Sequence, residues 1–157
     1  MDTGQPLLTL RGVTLRAGGR TLVDALDLDV TAGQRWVILG ANGAGKSTLL
    51  AALAGLRCAE AGAITLGGRE LGRWTVDALA AQRALLTDRW VDPFAATALD
   101  TVLTARYRFG PRDDTGQPRA QHELQQLDCG DLLDHDVRTL SRGERQRVAL
   151  ATALAQD

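Results

Sequence analysis

The sequence predicts an α/β fold, and three observations carry that prediction. Leu26, Leu28 and Val30 alternate with Asp27 and Asp29, the period of two that marks a half-buried strand. Trp36-Val37-Ile38-Leu39 is a continuous apolar run that ends in the glycine-rich loop Gly40 to Ser47 and is followed by a Leu/Ala-rich stretch, so strand, loop and helix come in that order. Beyond Thr97 the apolar spacing changes to three and four, the mark of amphipathic helices.

Taken in order, Leu8, Leu10, Val13 and Leu15 form a first strand with one slip in its alternation, and Gly18-Gly19 supplies the turn to the strand ending at Val30. These two strands are expected to be antiparallel neighbours. After the Thr31-Ala32-Gly33 turn, the run 36–39 is expected to be a strand buried on both faces of a parallel sheet. Thr48 to Leu56 reads as a helix closed around Gly55, Ala63 to Leu66 as a strand before the Gly67-Gly68 turn, and Val76 to Ala81 as a short helix. Ala84-Leu85-Leu86 is expected to be a second buried strand. Thr97 to Arg106 reads as a helix capped by Thr97 with Leu99, Val102 and Leu103 on one face; Gly110 to Pro118 as a polar loop; Arg119 to Leu127 as a further helix. The last helix opens at Ser141, with Val148, Ala151 and Leu154 on its apolar face and with Ser141 and Glu144 spaced as a capping box.

The 157 residues are 45% hydrophobic and 24% charged with a net charge of -1, the composition of one globular domain rather than of a disordered chain or a coiled coil. There is no run of about 18 apolar residues and no apolar block near the start, so neither a membrane span nor a secretory leader is predicted. A cytoplasmic chain is expected. Cys58 and Cys129 have no metal-ligand spacing and read as free thiols, and His122 and His135 as solvated or satisfied side chains. Of the 18 basic residues one is lysine, Lys46, leaving 17 arginines interleaved with acids along the whole chain. Nucleic-acid binding, which needs segregated basic residues, is not expected.

That single lysine stands in Gly40-Ala41-Asn42-Gly43-Ala44-Gly45-Lys46-Ser47, a match to GxxxxGK[ST]. Each residue type has its own reason. Glycines, with Asn42 and Gly43 at the bend and Ala44 beside them, allow a loop whose backbone N–H groups converge on a phosphate chain. Lys46 supplies an ammonium for the β- and γ-phosphates, Ser47 a hydroxyl for Mg²⁺, and the helix opening at Ser47-Thr48 the positive end of its dipole. The candidate nucleotide site is therefore Gly40, Asn42, Gly43, Ala44, Gly45, Lys46, Ser47 and Thr48, with ATP and Mg²⁺ as its ligands and Ser47 as the metal-binding residue.

A second motif, Leu140-Ser141-Arg142-Gly143-Glu144-Arg145-Gln146-Arg147, resembles the signature of the ATP-binding cassette family, and with the phosphate loop upstream the resemblance covers essentially the whole chain. It implies a P-loop NTPase core with an N-terminal antiparallel β subdomain and a helical subdomain: residues 1–87 would hold the β subdomain and phosphate-loop core, 88–138 the helical subdomain, and 139–157 the signature and its helix. It also implies a head-to-tail dimer in which Ser141, Arg142, Gly143 and Glu144 meet, in trans, the ATP held by the partner copy, and membrane permease subunits against which the pair works at the inner face of the plasma membrane. The stretch Leu79 to Tyr107 is similar to the importer ATPases for iron-siderophores, heme and cobalamin, so the expected function is coupling ATP binding and hydrolysis to transport of such a cargo.

The chain departs from the family pattern at several points. Asp88 stands where the family has a glutamine, Arg142 where the signature has its first glycine, and no aromatic lies near Ala17, where one would stack on adenine; Arg16 is the neighbouring candidate. The family continues beyond the signature helix with an apolar strand ending in Asp-Glu and then a histidine. Those groups are not among these residues, so no catalytic residue is assigned in this chain and it is read as C-terminally truncated. Two other readings stay open on the sequence: a nucleotide-binding module that does not hydrolyse, and a soluble cassette protein acting on ribosomes or DNA.

Overall fold

The computed structural model describes residues 5–86, 94–110 and 113–156. Two compact units divide the chain, Met1–Leu79 and Ala80–Asp157.

The first unit is built on an antiparallel sheet of strand order β2-β1-β3-β4, with β1 Leu8–Ala17, β2 Arg20–Val30, β3 Ala61–Leu66 and β4 Arg69–Glu70. The expected pairing of the first two strands is present, with Leu8 opposite Val30 and Leu10 opposite Leu28. So is the slip. The register shifts between Leu10 and Val13, where Gly12 takes φ +57 and its N–H donates to Asp27 Oδ1 at 2.7 Å. Such a bulge lets Leu10, Val13 and Leu15 all face inward although they are not evenly spaced by two. On the other side β1 pairs with β3, Leu10 opposite Ile64, and here glycine is obligatory. A Cβ on Gly62 would lie 2.4 Å from the Arg11 and Gly12 carbonyl oxygens. Helix α1, Lys46–Leu53, buries Ala52 against Leu10, Val13, Leu15 and Ile64. Its end at Gly55, φ +70, follows the left-handed cap expected of glycine.

Two expected strands are not formed. Residues 36–39 and 84–86 carry no ladder bonds, and Trp36, Val37 and Leu39 are 55%, 76% and 87% exposed. The reason is physical: a run apolar on both faces becomes a strand only when neighbours pair with both edges and cover both faces, and among the described residues no segment pairs with either run. The sheet that exists is antiparallel, with one face on α1. Helix α2, Val76–Ala80, closes the unit with Leu79 buried.

The second unit packs three helices: α3 Ala98–Leu103, α4 Gly116–Gln126 and α5 Arg142–Leu154. Val102, Leu124, Cys129, Val137, Val148, Ala151 and Ala155 make its core, and burying each of the larger side chains contributes about 1.5–3 kcal/mol gross. Thr97 caps α3 as expected, in a full capping box with Asp100. Three details differ from the sequence reading. The helix from Thr97 stays α-helical only to Leu103 and tightens into a 3-10 segment over Thr104–Phe109, which turns Arg106 inward. Helix α4 starts at Gly116 rather than Arg119, because Pro118 in a first turn lacks only an N–H that has no intrahelical partner anyway. At the end of α5 the buried residue is its C-cap, Ala155, while Leu154 is 43% exposed: from Val148 a 3.6-residue period falls on Ala151 and Ala155, and a strict spacing of three drifts off the face.

Candidate phosphate-binding site

The loop between Gly40 and α1 is shaped by its glycines. Ala44 N–H donates to the Ala41 carbonyl at 3.2 Å, closing a tight turn whose Gly43 sits at φ +81. Gly45 is the N-cap of α1 at φ 95, ψ 7, and its carbonyl accepts from Leu49 N–H at 2.8 Å. Both features demand glycine at 45. An L side chain is strained at that φ, and a Cβ there would lie 2.9 Å from Leu22 Cβ on β2. Gly40 is limited more gently, its Cβ position being 3.3 Å from Ala44 Cβ.

Lys46 is the first residue of α1, and its ammonium folds back over the loop. Nζ donates to the carbonyl oxygens of Gly40 and Ala41, both at 2.8 Å. Two of its three protons are thereby used and one remains. These two bonds hold the charge at the loop, at the end of its four-carbon stem.

The start of α1 is also electrostatically bare. No side chain caps it and no acid lies in its first turn, so the N–H groups of its first turn have no intrahelical partner. Ser47 is exposed and Thr48 half-buried in that turn, and the Ser47 hydroxyl makes no bond within the described chain. It suits Mg²⁺ as a single oxygen ligand, the remainder coming from phosphate oxygens and water; the described residues contain no cluster of three His, Cys, Asp or Glu that would hold a metal alone. Gly40, Asn42, Gly43, Ala44, Gly45, Lys46, Ser47 and Thr48 thus form one contiguous surface.

The second candidate set lies in the other unit. Ser141 caps α5: its Oγ accepts from Glu144 N–H at 3.3 Å, and Glu144 Oε2 accepts from Ser141 N–H at 2.7 Å. These bonds hold the Glu144 carboxyl below its ordinary range. Its carboxylate is therefore turned back onto the cap rather than outward. Arg142 and Gly143 are exposed, and a Cβ on Gly143 would have nothing nearer than Arg147 Nη1 at 3.9 Å. No atom of the described residues requires glycine there. Asp88 lies outside the described residues.

Near Ala17, Arg16 is exposed and its Nε donates to Thr21 Oγ1 at 3.1 Å. Its backbone N–H and carbonyl are tied to Glu60 and to Arg57 Nη2 respectively. Cys58 and Cys129 are free thiols, exposed and buried respectively, and His122 and His135 are both exposed. Two buried charges among the described residues escaped the sequence reading: Glu123, 6% exposed and paired with Arg119 at 3.1 Å, and Arg106. Arg106 is 7% exposed and pairs with Asp113 at 2.8 Å; nothing in the periodicity signals it, because its partner sits in a polar loop.

A family model described as ABC transporter matches residues 23–157. The chain belongs to the ABC transporter family. It is 37% identical over 156 residues to a hemin import ATP-binding protein, HmuV, of Rhodococcus jostii, covering 98% of this chain and 53% of that protein. It is also 37% identical over 158 residues to the macrolide export ATP-binding/permease protein MacB 1 of Aeromonas hydrophila, covering 96% of this chain and 24% of that one. Among solved structures, a metal-chelate type ABC transporter in an inward-facing conformation superposes with a TM-score of 0.77 at 25% identity, over 96% of this chain and 56% of that chain. The chain spans about half the length of the hemin import relative.

Proposed function

We propose that this chain is the ATP-binding part of an ABC transporter, and that Gly40 to Thr48 holds the phosphates of ATP. The observation that carries the reading is the Lys46 ammonium, held 2.8 Å from the Gly40 and Ala41 carbonyls at the mouth of an uncapped helix. Positive charge, N–H groups without intrahelical partners and a loop bent by glycines all favour a polyanion at the same place. Backbone N–H groups orient the phosphate chain, the third proton of Lys46 meets a terminal phosphate oxygen, and Ser47 Oγ would hold Mg²⁺. When bound, that ion supplies charge neutralisation between the phosphates.

The start of α5 is the second half of the proposed machinery. Ser141 and Gly143, with Arg142 beside them, would face the ATP of a second copy in a head-to-tail pair, with Glu144 stabilising the turn they stand on. Turnover, permease partners and a place at the inner face of the membrane are proposed for the whole protein. The described residues contain no helix long and apolar enough to cross a membrane. Similarity to a hemin import protein supports an iron-containing chelate as cargo.

The test is ATP affinity in Lys46→Ala. Losing one charge-assisted hydrogen bond at about 1.5–3 kcal/mol weakens binding at least about tenfold; affinity unchanged in a folded variant removes the assignment.

A further inference from the structure

Among the described residues of the second unit, one buried arginine is engaged by several partners at once. Arg106 Nε and Nη2 donate to Asp113 Oδ2 and Oδ1 at 2.8 and 3.2 Å, Nη2 also to Thr115 Oγ1 at 2.9 Å, and Nη1 to the Ala155 carbonyl at 3.2 Å. Its guanidinium stands 3.8 Å from the Phe109 ring centroid. Arg108, 4.2 Å from the same ring, donates to the Gln156 carbonyl. Space for this arrangement is provided by glycine: a Cβ on Gly116 would lie 2.7 Å from Asp113 Oδ2.

The Ala155 carbonyl, at the C-cap of α5, is among those the helix end leaves without intrahelical partners, and Gln156 follows it; the positive charges lie at the negative end of the helix dipole. Arg106 therefore ties three segments together: the 3-10 turn it belongs to, the 113–116 turn, and the far end of α5. The near end of α5 is the Ser141 cap. Its 13 residues make a rod about 20 Å long, packed along its length by Val148, Ala151 and Ala155, with Leu140 buried just before its cap. A helix packed along its length moves as one body, so a shift of its Ala155 end is carried to Ser141. Displacements near 1 Å are enough to cost about two orders of magnitude in an aligned phosphate contact.

We infer that Arg106 is a positioning residue for the signature turn, acting through α5 to aim Ser141 and Gly143 at the nucleotide of a second copy. The inference rests on the proposed role of that turn. A lysine would keep the charge but not the fork: its point ammonium does not serve two Asp113 oxygens, Thr115 and the Ala155 carbonyl together.

The experiment uses the full-length protein with Arg106→Lys, and with Thr115→Val as a milder disturbance of the same clamp should the lysine variant fold poorly. Three quantities are measured: ATP affinity at the phosphate loop of the isolated subunit, ATP-driven association of two copies, and the thermal midpoint. The expected result is ATP affinity within about twofold of the parent and association weakened about tenfold, equivalent to ~1.4 kcal/mol. Association unchanged overturns the inference, as does a parallel loss of affinity and association that follows the thermal midpoint, the signature of a merely structural role. Failure of the phosphate-site reading looks different: there Lys46→Ala leaves ATP affinity intact, whatever Arg106 does.

Discussion

Gly45→Ala is the substitution whose consequence can be worked most fully from geometry. At φ 95 an alanine carries the left-handed penalty of roughly 1–2 kcal/mol. Its Cβ would also stand 2.9 Å from Leu22 Cβ, closer than such atoms approach, and Leu22 cannot swing this atom aside because it is fixed to the β2 backbone. Relieving the contact displaces strand or helix by several tenths of an ångström, at a further ~1–2 kcal/mol. The expected loss is therefore ~2–4 kcal/mol. Gly43→Ala isolates the first part, since Gly43 has φ +81 but nothing within 4 Å of its Cβ position; about 1–2 kcal/mol is expected there. Both variants are unfolded with urea in the absence of nucleotide, followed by tryptophan fluorescence. Gly43→Ala costing as much as Gly45→Ala would refute the reasoning, because the Leu22 contact would then contribute nothing.

Three further outcomes are expected. Ser141→Ala removes one half of the capping box and costs about 1 kcal/mol in urea unfolding. Asp113 is held at about 2, chiefly by the Arg106 guanidinium and Thr115, against an ordinary 3.8. A depressed carboxyl contributes stability above its unfolded value and loses it as pH falls toward its folded one, so thermal midpoints should drop between about pH 4 and pH 2, with Asp113→Asn flattening that part of the profile. Leu124→Ala, at a fully buried site of the helical unit, should cost about 2–5 kcal/mol in the same unfolding assay.

The features legible in the sequence are those whose cause is local. A capping box is a spacing of three, so Ser141 with Glu144 could be read directly. The bulge at Gly12 left its trace as a slip in the alternation of Leu8 to Leu15. The phosphate loop is a motif because its backbone demands glycine at fixed positions, and the φ values of Gly43 and Gly45 bear that out. What could not be read depends on partners distant in sequence. Trp36 to Leu39 has the composition of a buried strand, but strand formation belongs to the neighbours that pair with it, and composition is silent about those. Arg106 looks like any surface arginine until Asp113, Thr115 and the end of α5 are brought around it. The fold of Lys46 back onto Gly40 and Ala41 is likewise a matter of loop geometry that a motif match does not contain.

The central claim is that residues 40–48 recognise phosphate before anything else in the nucleotide. Titrating the protein in Mg²⁺ with ATP and with adenosine tests it directly, because the two share the base and ribose and differ in the triphosphate. Two or more charge-assisted bonds of about 1.5–3 kcal/mol predict that ATP binds at least about a hundredfold more tightly than adenosine, with at least about tenfold of that difference lost in Lys46→Ala. Equal affinity for the two ligands would contradict the account.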